Sequence, residues 1–147
     1  MAFEGEYAPS PAGWVRDQVE EYEASRGARA ATMGDSGLPI IIVTMVGHKT
    51  GSIRKVPLMR VEHGGEYALV ASKGGAAENP RWYWNLLANP TVQVQDGPEP
   101  FDAVVHLATG EERAMWWRRA VAAFDRYAEY QQNTDREIPV FVARPTG

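Results

Sequence analysis

Two short segments of the chain combine cations with glycines directly after apolar stretches. The first, residues 47–51 with the sequence GHKTG, is followed by Arg54 and Lys55. Backbone amides left free at glycines, together with clustered Lys and Arg side chains, make a site for a phosphate or a carboxylate. A solvated basic hairpin tip is the alternative, and it is the commoner role of such a motif when it stands alone.

The second segment, residues 71–76 with the sequence ASKGGA, leads from a predicted strand towards a helix that starts near Asn79. A loop of small residues lets a flat ring or a phosphate approach the backbone closely, with Ser72 and Lys73 as added polar contacts. An ordinary flexible connection is the alternative. Because two basic, glycine-containing loops each follow an apolar strand, the pair favours a negatively charged, partly aromatic ligand.

Aromatic side chains are concentrated in two further places, residues 79–86 and the last helix. Phe124, Tyr127 and Tyr130 are spaced at i, i+3 and i+6, which predicts that they lie on one side of that helix. For any single aromatic residue a place in the core is the simpler interpretation. Two tyrosines whose hydroxyls need partners nevertheless suggest a wet or ligand-facing edge.

The sequence offers little for chemistry by the protein's own side chains. It has no cysteine, and its three histidines, His48, His63 and His106, show no metal-ligand spacing. It also has no Gly-x-Ser-x-Gly motif for a serine nucleophile. We therefore expect no metal site, and a pocket whose chemistry comes from a bound cofactor.

Length and charge restrict the remaining function classes. A chain of 147 residues suits one domain, and a net charge of −4 gives no broad attraction for nucleic acid or anionic lipid. The longest apolar run, residues 38–46, is about half of the roughly 20 residues of a membrane-spanning helix. The absence of cysteine is compatible with a cytoplasmic protein, which is our expectation.

The elements that would position these residues follow from periodicity, caps and turns. We predict helices from Ser10 to Gly27, from Asn79 to Asn89, and from a capping box at Thr109 and Glu112 to Tyr130. We predict strands over residues 39–46, 54–62, 66–72, 91–95, 101–107 and 138–143, several of them paired as hairpins. Such a pattern indicates an α+β fold with a barrel-like antiparallel sheet.

Several blocks of the sequence, read together, resemble the deazaflavin-dependent nitroreductase family, which includes F420H2-dependent quinone reductases. They are GHKTGSIRKVPL (47–58), ASKGGA (71–76), NPRWYWNL (79–86), YAEYQ (127–131) and TDREIPV (134–140). The blocks occur in family order and cover the chain from about residue 38 to its end. The resemblance implies a split β-barrel over residues 38–147, preceded by a helix and loop over residues 1–37, in a single domain overall.

The resemblance also implies which residues bind the cofactor, coenzyme F420. The phosphate and oligoglutamate tail would contact Lys49, Thr50, Arg54 and Lys55, next to His48 at a position that is usually basic in the family. Pro57 and Leu58 would continue along the cofactor. Ala71, Ser72 and Lys73 would border the deazaflavin ring, and Trp82, Asn85 and Tyr127 would complete the pocket.

On the acceptor side, Met59 and Phe124 stand where the family often has tyrosine, with Tyr127 and Tyr130 beside them. The implied reaction is direct transfer of a hydride from C5 of the reduced deazaflavin to a quinone-like or other electron-poor acceptor. Ser72, Tyr127 and Tyr130 are the candidate catalytic residues, as hydrogen-bond or proton donors to the acceptor. The alternatives are an FMN-dependent split-barrel oxidoreductase and a non-catalytic F420-binding protein.

Overall fold

Seven strands and four α-helices build the part of the chain that the computed structural model describes, residues 5–146 without the side chain of Asp35. The helices are α1 (Gly13–Ala24), α2 (Arg81–Ala88), α3 (Gly110–Ala123) and α4 (Arg126–Gln132). The strands are β1 (Ile40–Val46), β2 (Ile53–Met59), β3 (Glu62–His63), β4 (Glu66–Val70), β5 (Thr91–Gln95), β6 (Pro100–Leu107) and β7 (Val140–Pro145). No helix within residues 5–146 is long and apolar enough to cross a membrane.

All strands belong to one antiparallel sheet in the order β2-β1-β5-β6-β7-β4-β3. The longest pairing joins β1 to β2, with Ile40 opposite Met59 at one end and Val46 opposite Ile53 at the other. This hairpin carries the basic segment 47–51 at its turn. The predicted hairpin around residues 96–97 is also present. The predicted hairpin around residues 64–65 is reduced to β3 and β4, because the predicted strand over residues 54–62 is divided in two and its longer part, β2, pairs with β1 at the other end of the sheet. The antiparallel α+β architecture agrees with the fold class predicted from the sequence.

Strand β1 is buried on both faces, which explains its unbroken apolar sequence. Ile40 and Ile42 belong to one hydrophobic cluster, whereas Ile41, Val43 and Met45 belong to another. Successive side chains of a strand point to opposite faces, so the sheet separates two cores. The first core includes buried residues of α1, α3 and α4, and the second includes buried residues of α2.

Helix α1 is shorter than the predicted range from Ser10 to Gly27 and packs on the β5–β6 hairpin. Its Tyr22 is 2% exposed, and the hydroxyl accepts a hydrogen bond of 2.8 Å from the amide of Gly97. The same hydroxyl lies 3.4 Å from the carbonyl oxygen of Gln95. The predicted bounds 1–37 and 38–147 stay a prediction, and they include residues 1–4 and 147, which lie outside the described residues.

The predicted helix from Thr109 to Tyr130 is wrong as one continuous element. Phe124 is extended, with φ −150° and ψ 97°, and it separates α3 from α4. The predicted capping box is also wrong, because the Thr109 side chain makes no capping hydrogen bond. Glu112, the other half of that box, instead contacts His106 and Arg144. Glu112 thus contacts side chains outside the helix and does not cap its first turn.

Candidate functional site

Two adjoining cavities open beside the β1–β2 turn and the segment that follows β4. The first has a volume of about 770 Å³ and is lined by cations, and the second, of about 720 Å³, is mainly apolar. Five residues line both cavities: Ser10, Val56, Lys73, Arg81 and Trp82. The two spaces are therefore neighbouring parts of one site.

The cationic cavity is built on the turn between β1 and β2. Gly47 and Ser52 close this turn through a backbone hydrogen bond of 2.7 Å, and Gly51 has a φ of 75°, which favours glycine. Eight of the residues predicted to bind cofactor line the cavity: His48, Lys49, Thr50, Arg54, Lys55, Lys73, Trp82 and Asn85. Asn85 reaches the turn from α2 and accepts two hydrogen bonds from His48.

Two of the cations are held by the chain that precedes β1. The guanidinium of Arg54 donates to the carbonyl oxygen of Ala8 at 3.1 Å. The ammonium of Lys55 lies 2.6 Å from a carboxylate oxygen of Glu23 and 5.1 Å from the ring centre of Tyr7. These contacts orient Arg54 and Lys55 along the cavity wall. They also leave Arg54 without a carboxylate partner among the described side chains.

Three further cations line the cavity without an ion pair to any other residue in the described range: Lys49, Lys73 and Arg81. One acid, Glu78, lies among them. Positive charge thus exceeds negative charge in this cavity, although the whole chain carries a net charge of −4. Such a local excess suits a ligand with several anionic groups.

The apolar cavity brings together residues from β2, the segment after β4, and the α3–α4 connection. Nine of the residues predicted to contact cofactor or substrate line it: Pro57, Leu58, Met59, Ser72, Lys73, Trp82, Phe124, Tyr127 and Tyr130. The rings of Phe124 and Tyr127 meet edge to face with centres 5.0 Å apart, and Tyr130 lies 6.0 Å from Phe124. Phe124 lies at the break between α3 and α4, and Tyr127 and Tyr130 lie on α4.

Three hydroxyl groups on the wall of this cavity have no hydrogen-bond partner within residues 5–146. They belong to Ser72, Tyr127 and Tyr130, the predicted catalytic residues. Burial, with a smaller contribution from Tyr130, raises the pKa of Tyr127 well above its ordinary value. Tyr127 therefore keeps its proton at neutral pH, and its hydroxyl is available as a donor.

The segment after β4 approaches the cavity with an unusual backbone. Lys73 has a φ of 45°, in a region that costs a non-glycine residue on the order of 1–3 kcal/mol. Gly74 and Gly75 follow with φ of 64° and 84°. A Cβ atom on Gly75 would lie 2.8 Å from the carbonyl oxygen of Tyr130, so glycine lets this turn pack directly on α4. We call residues 72–76 the cavity turn.

Comparison with known proteins identifies the family to which this chain belongs. The family model described as F420H(2)-dependent quinone reductase matches residues 14–145. The chain belongs to this family. An F420H(2)-dependent quinone reductase of Mycobacterium tuberculosis (strain ATCC 25618 / H37Rv) is 36% identical over 107 residues, which are 71% of this chain and 72% of the relative.

Solved structures agree with the family match. The structure of an F420-H2 dependent reductase (FDR-A) is 54% identical, has a TM-score of 0.69, and covers 72% of this chain and 94% of its own. A second structure, described as a domain-swapped dimer, is 48% identical with a TM-score of 0.72, and covers 92% of this chain and 100% of its own. The resemblance and the split-barrel fold class predicted from the sequence are confirmed.

The match to the F420H(2)-dependent quinone reductase family starts at residue 14, and so it includes α1. The blocks that suggest the resemblance start later in the chain. From α1, Trp14 and Val15 line the apolar cavity, and Met33 joins them from the loop before β1. Sequence reasoning did not assign these residues to the site. The available signal in the sequence was Trp14 itself, a large aromatic residue at the start of the predicted helix, and the structure leaves it 63% exposed.

Two other residues change the predicted site of this family member. Arg81 lines both cavities but was not predicted, although it directly precedes Trp82 in a quoted block. Ala71, predicted to border the deazaflavin, is fully buried and lines neither cavity. Its carbonyl oxygen accepts a hydrogen bond from Arg136. Ala71 therefore contributes a backbone group that supports the cavity turn.

Proposed function

We propose that this protein is an F420H2-dependent reductase that passes a hydride to a quinone-like or other electron-poor organic acceptor. The observation that carries the proposal is the joining of the two cavities through Lys73, Arg81 and Trp82. One cavity suits an anionic chain and the other a flat, apolar ring. A cofactor with both parts, such as F420, matches this pair better than FMN, which has no anionic tail.

The residues present fit the anionic part of F420. Among the described side chains, Lys49, Lys73 and Arg81 have no carboxylate partner, and Arg54 is bound only to carbonyl oxygens. Lys and Arg near the surface bind phosphate and carboxylate groups through charge-assisted hydrogen bonds. We assign the phosphate and oligoglutamate tail to this cavity, with Lys49, Thr50, Arg54 and Lys55 as the principal contacts and His48 beside them.

The residues of the apolar cavity fit a planar ring and a second planar molecule next to it. Pro57 and Leu58 supply apolar surface, Ser72 and Lys73 supply polar contacts at the cavity turn, and Trp82 supplies an aromatic wall. Met59, Phe124 and the two tyrosines line the same cavity, and we place the acceptor against them. Aromatic and thioether side chains bind flat apolar molecules without demanding specific polar groups.

When bound, reduced F420 would supply the hydride, from C5 of its deazaflavin. The protein's own residues orient the two reactants and exclude water from the space between them. Tyr127 is protonated at neutral pH, as any tyrosine is, and burial raises its pKa further, so its hydroxyl can donate a hydrogen bond or a proton to the acceptor oxygen. Ser72 and Tyr130 are the other candidate donors, since their hydroxyls have no partner within residues 5–146.

An anaerobic turnover assay tests this function. Purified protein is mixed with F420H2 and menadione, and the return of the visible absorbance of oxidised F420 is followed, with FMNH2 and NADPH as parallel donors. We expect the protein to catalyse the oxidation of F420H2 by menadione, but not that of FMNH2 or NADPH. Binding of F420 without turnover across a panel of quinones would favour the non-catalytic alternative. Turnover with FMNH2 but not F420H2, or a yellow purified protein that releases FMN, would favour the flavin alternative.

A further inference from the structure

Arg136, which follows α4, is bound almost entirely to one segment of the chain between β4 and α2. Its Nε donates to the carbonyl oxygen of Ala76 at 2.9 Å, and one terminal nitrogen donates to the carbonyl of Ser72 at 2.9 Å. The other terminal nitrogen donates to the carbonyl of Ala71 at 3.2 Å and to Oδ1 of Asn79 at 2.8 Å. One guanidinium thus connects both ends of the cavity turn.

This guanidinium has no carboxylate partner among the described side chains, which are those of residues 5–146 apart from Asp35. Burial lowers the pKa of Arg136, yet an arginine keeps its charge at neutral pH. A half-buried arginine is usually neutralised by an acid, whereas this one is solvated by carbonyl dipoles alone. Its contacts therefore hold the backbone of the cavity turn in place and bring a positive charge next to the carbonyl groups of that turn.

The carbonyl groups held by Arg136 determine the direction of the amides in the same peptide units. The described chain has no cis peptide bond, and in a trans peptide the N–H points opposite to the C=O. With the carbonyls of Ala71 and Ser72 on the guanidinium, the amides of Ser72 and Lys73 point away from it. Within residues 5–146 these amides, and that of Gly74, donate no hydrogen bond.

The backbone conformation gathers these free amides. Ser72 is in the right-handed helical region, with φ −78° and ψ −38°, and Lys73 follows in the left-handed region at φ 45°. This alternation turns successive N–H groups towards a common point, where they bind an anion or a carbonyl oxygen. Ser72, Lys73 and Gly74 all line the apolar cavity.

We infer that Arg136 is a positioning residue for the cofactor ring. It fixes the cavity turn so that the amides of Ser72, Lys73 and Gly74 face a carbonyl-bearing or anionic edge of the ring. A hydrogen bond from a cation to a peptide oxygen also polarises that peptide and strengthens its N–H as a donor. The identity of the ring rests on the proposed function, whereas the effect of Arg136 on the cavity turn does not depend on it.

The segment that carries Arg136 is itself fixed to α4. Nε2 of Gln131 donates to the carbonyl oxygen of Arg136 at 2.8 Å, and Oε1 of Gln131 accepts from the amide of Ile138 at 2.9 Å. Helix α4 also carries Tyr127 and Tyr130. Arg136 therefore connects the cavity turn to α4, the helix that carries the candidate proton donors Tyr127 and Tyr130.

Binding measurements test the inference with two ligands, F420 and its core without phosphate and tail. For Arg136→Gln we expect both ligands to bind more weakly by the same factor, about tenfold or more, since the loss is at the ring. Arg113→Gln is the matched control. Arg113 is also half-buried and donates to a carbonyl of the last segment, Ile138 at 2.7 Å, but makes no contact with the cavity turn. We expect its ligand affinities to be unchanged.

Hydrogen exchange of the protein without ligand gives a second readout, independent of F420. The amides of Gly75 and Ala76 are bonded within the turn, to Ser72 at 2.9 Å and Lys73 at 3.1 Å. In Arg136→Gln we expect these two amides to exchange about tenfold faster or more, which corresponds to about 1.4 kcal/mol of lost local stability. The thermal midpoint checks that both variants are folded. If Arg136→Gln does not fold, Asn79→Ala replaces it, with the same expected direction in both measurements.

Unchanged exchange at Gly75 and Ala76 would overturn the inference, as would weakening confined to full-length F420. If the unmodified protein binds neither ligand, the proposed function has failed. The exchange comparison between Arg136→Gln and Arg113→Gln would then still decide whether Arg136 fixes the turn.

Discussion

The side-chain oxygen Oδ1 of Asn85 lies 2.6 Å from Nδ1 of His48 and 2.9 Å from the backbone nitrogen of the same residue. The backbone N–H can only donate, so this atom of Asn85 is the acceptor and Nδ1 of His48 carries a hydrogen. Nε2 is then the ring nitrogen left for a ligand. A neutral side chain on α2 thus fixes the first residue of the basic turn, at the wall of the cationic cavity.

Replacement of Asn85 by Ala is expected to weaken F420 binding while leaving kcat within about twofold. Two hydrogen bonds to His48 are lost, each worth about 0.5–1.5 kcal/mol, so the dissociation constant is expected to rise roughly tenfold. Fluorescence titration measures this. Asn89→Ala is the control, because Asn89 directly follows the same helix and its side chain accepts only from the amide of Thr91, at 3.1 Å. Equal affinities for both variants would show that the turn does not need Asn85.

Arg54→Ala is expected to raise the KM for F420H2 about tenfold or more with little change in kcat. A contact to the cofactor tail is made equally in the ground state and the transition state, so its loss affects binding alone. Steady-state kinetics with saturating menadione gives both constants. Arg26→Ala serves as the control, since Arg26 is exposed and paired with Glu99 away from both cavities. A large fall in kcat at unchanged KM would place Arg54 at the reacting centre instead.

The sequence predicted most of the elements whose formation depends on residues close together along the chain. The β1–β2 hairpin, its basic turn and the short helix with Trp82 were predicted because apolar runs, glycines and proline act locally. The break at Phe124 was not, since capping and helical periodicity favour continuing the helix. The contacts of Arg136 lie 57 to 65 residues away in sequence, and no local pattern indicates them. The sequence therefore predicted most residues that line the site, but not the long-range hydrogen bonds that hold these residues in position.

Tyr127→Phe is expected to lower kcat by about tenfold or more and to leave the KM for F420H2 nearly unchanged, because a proton donor acts in the chemical step. The protonated form is the active one, so a raised pKa moves the loss of activity to higher pH. The unmodified enzyme should therefore show no decline from Tyr127 up to about pH 10, where an ordinary tyrosine ionises. Tyr83→Phe is the control, since Tyr83 lines neither cavity. Full kcat in Tyr127→Phe would remove Tyr127 from the mechanism.

Quinones of the menadione type are expected to be better acceptors than bicyclic nitroimidazoles. A flat quinone can be held by stacking beside Met59 and Phe124, whereas a nitroimidazole must be fixed in one orientation. Two missing hydroxyls at those positions, at about 0.5–1.5 kcal/mol each, make a handicap of roughly tenfold or more. The test compares kcat/KM for both acceptors at saturating F420H2. Phe124→Tyr and Met59→Tyr should each improve nitroimidazole turnover, and failure of both would contradict this view of the acceptor wall.

A crystal structure of the protein with oxidised F420 tests the central claim, that one cofactor spans both cavities. We expect the phosphate and tail within hydrogen-bonding distance of Lys49, Arg54 or Lys55. We expect the deazaflavin ring in the apolar cavity, against the cavity turn and facing Tyr127. A ring bound in the cationic cavity, or a tail that leaves the site without contacting these cations, would contradict this claim.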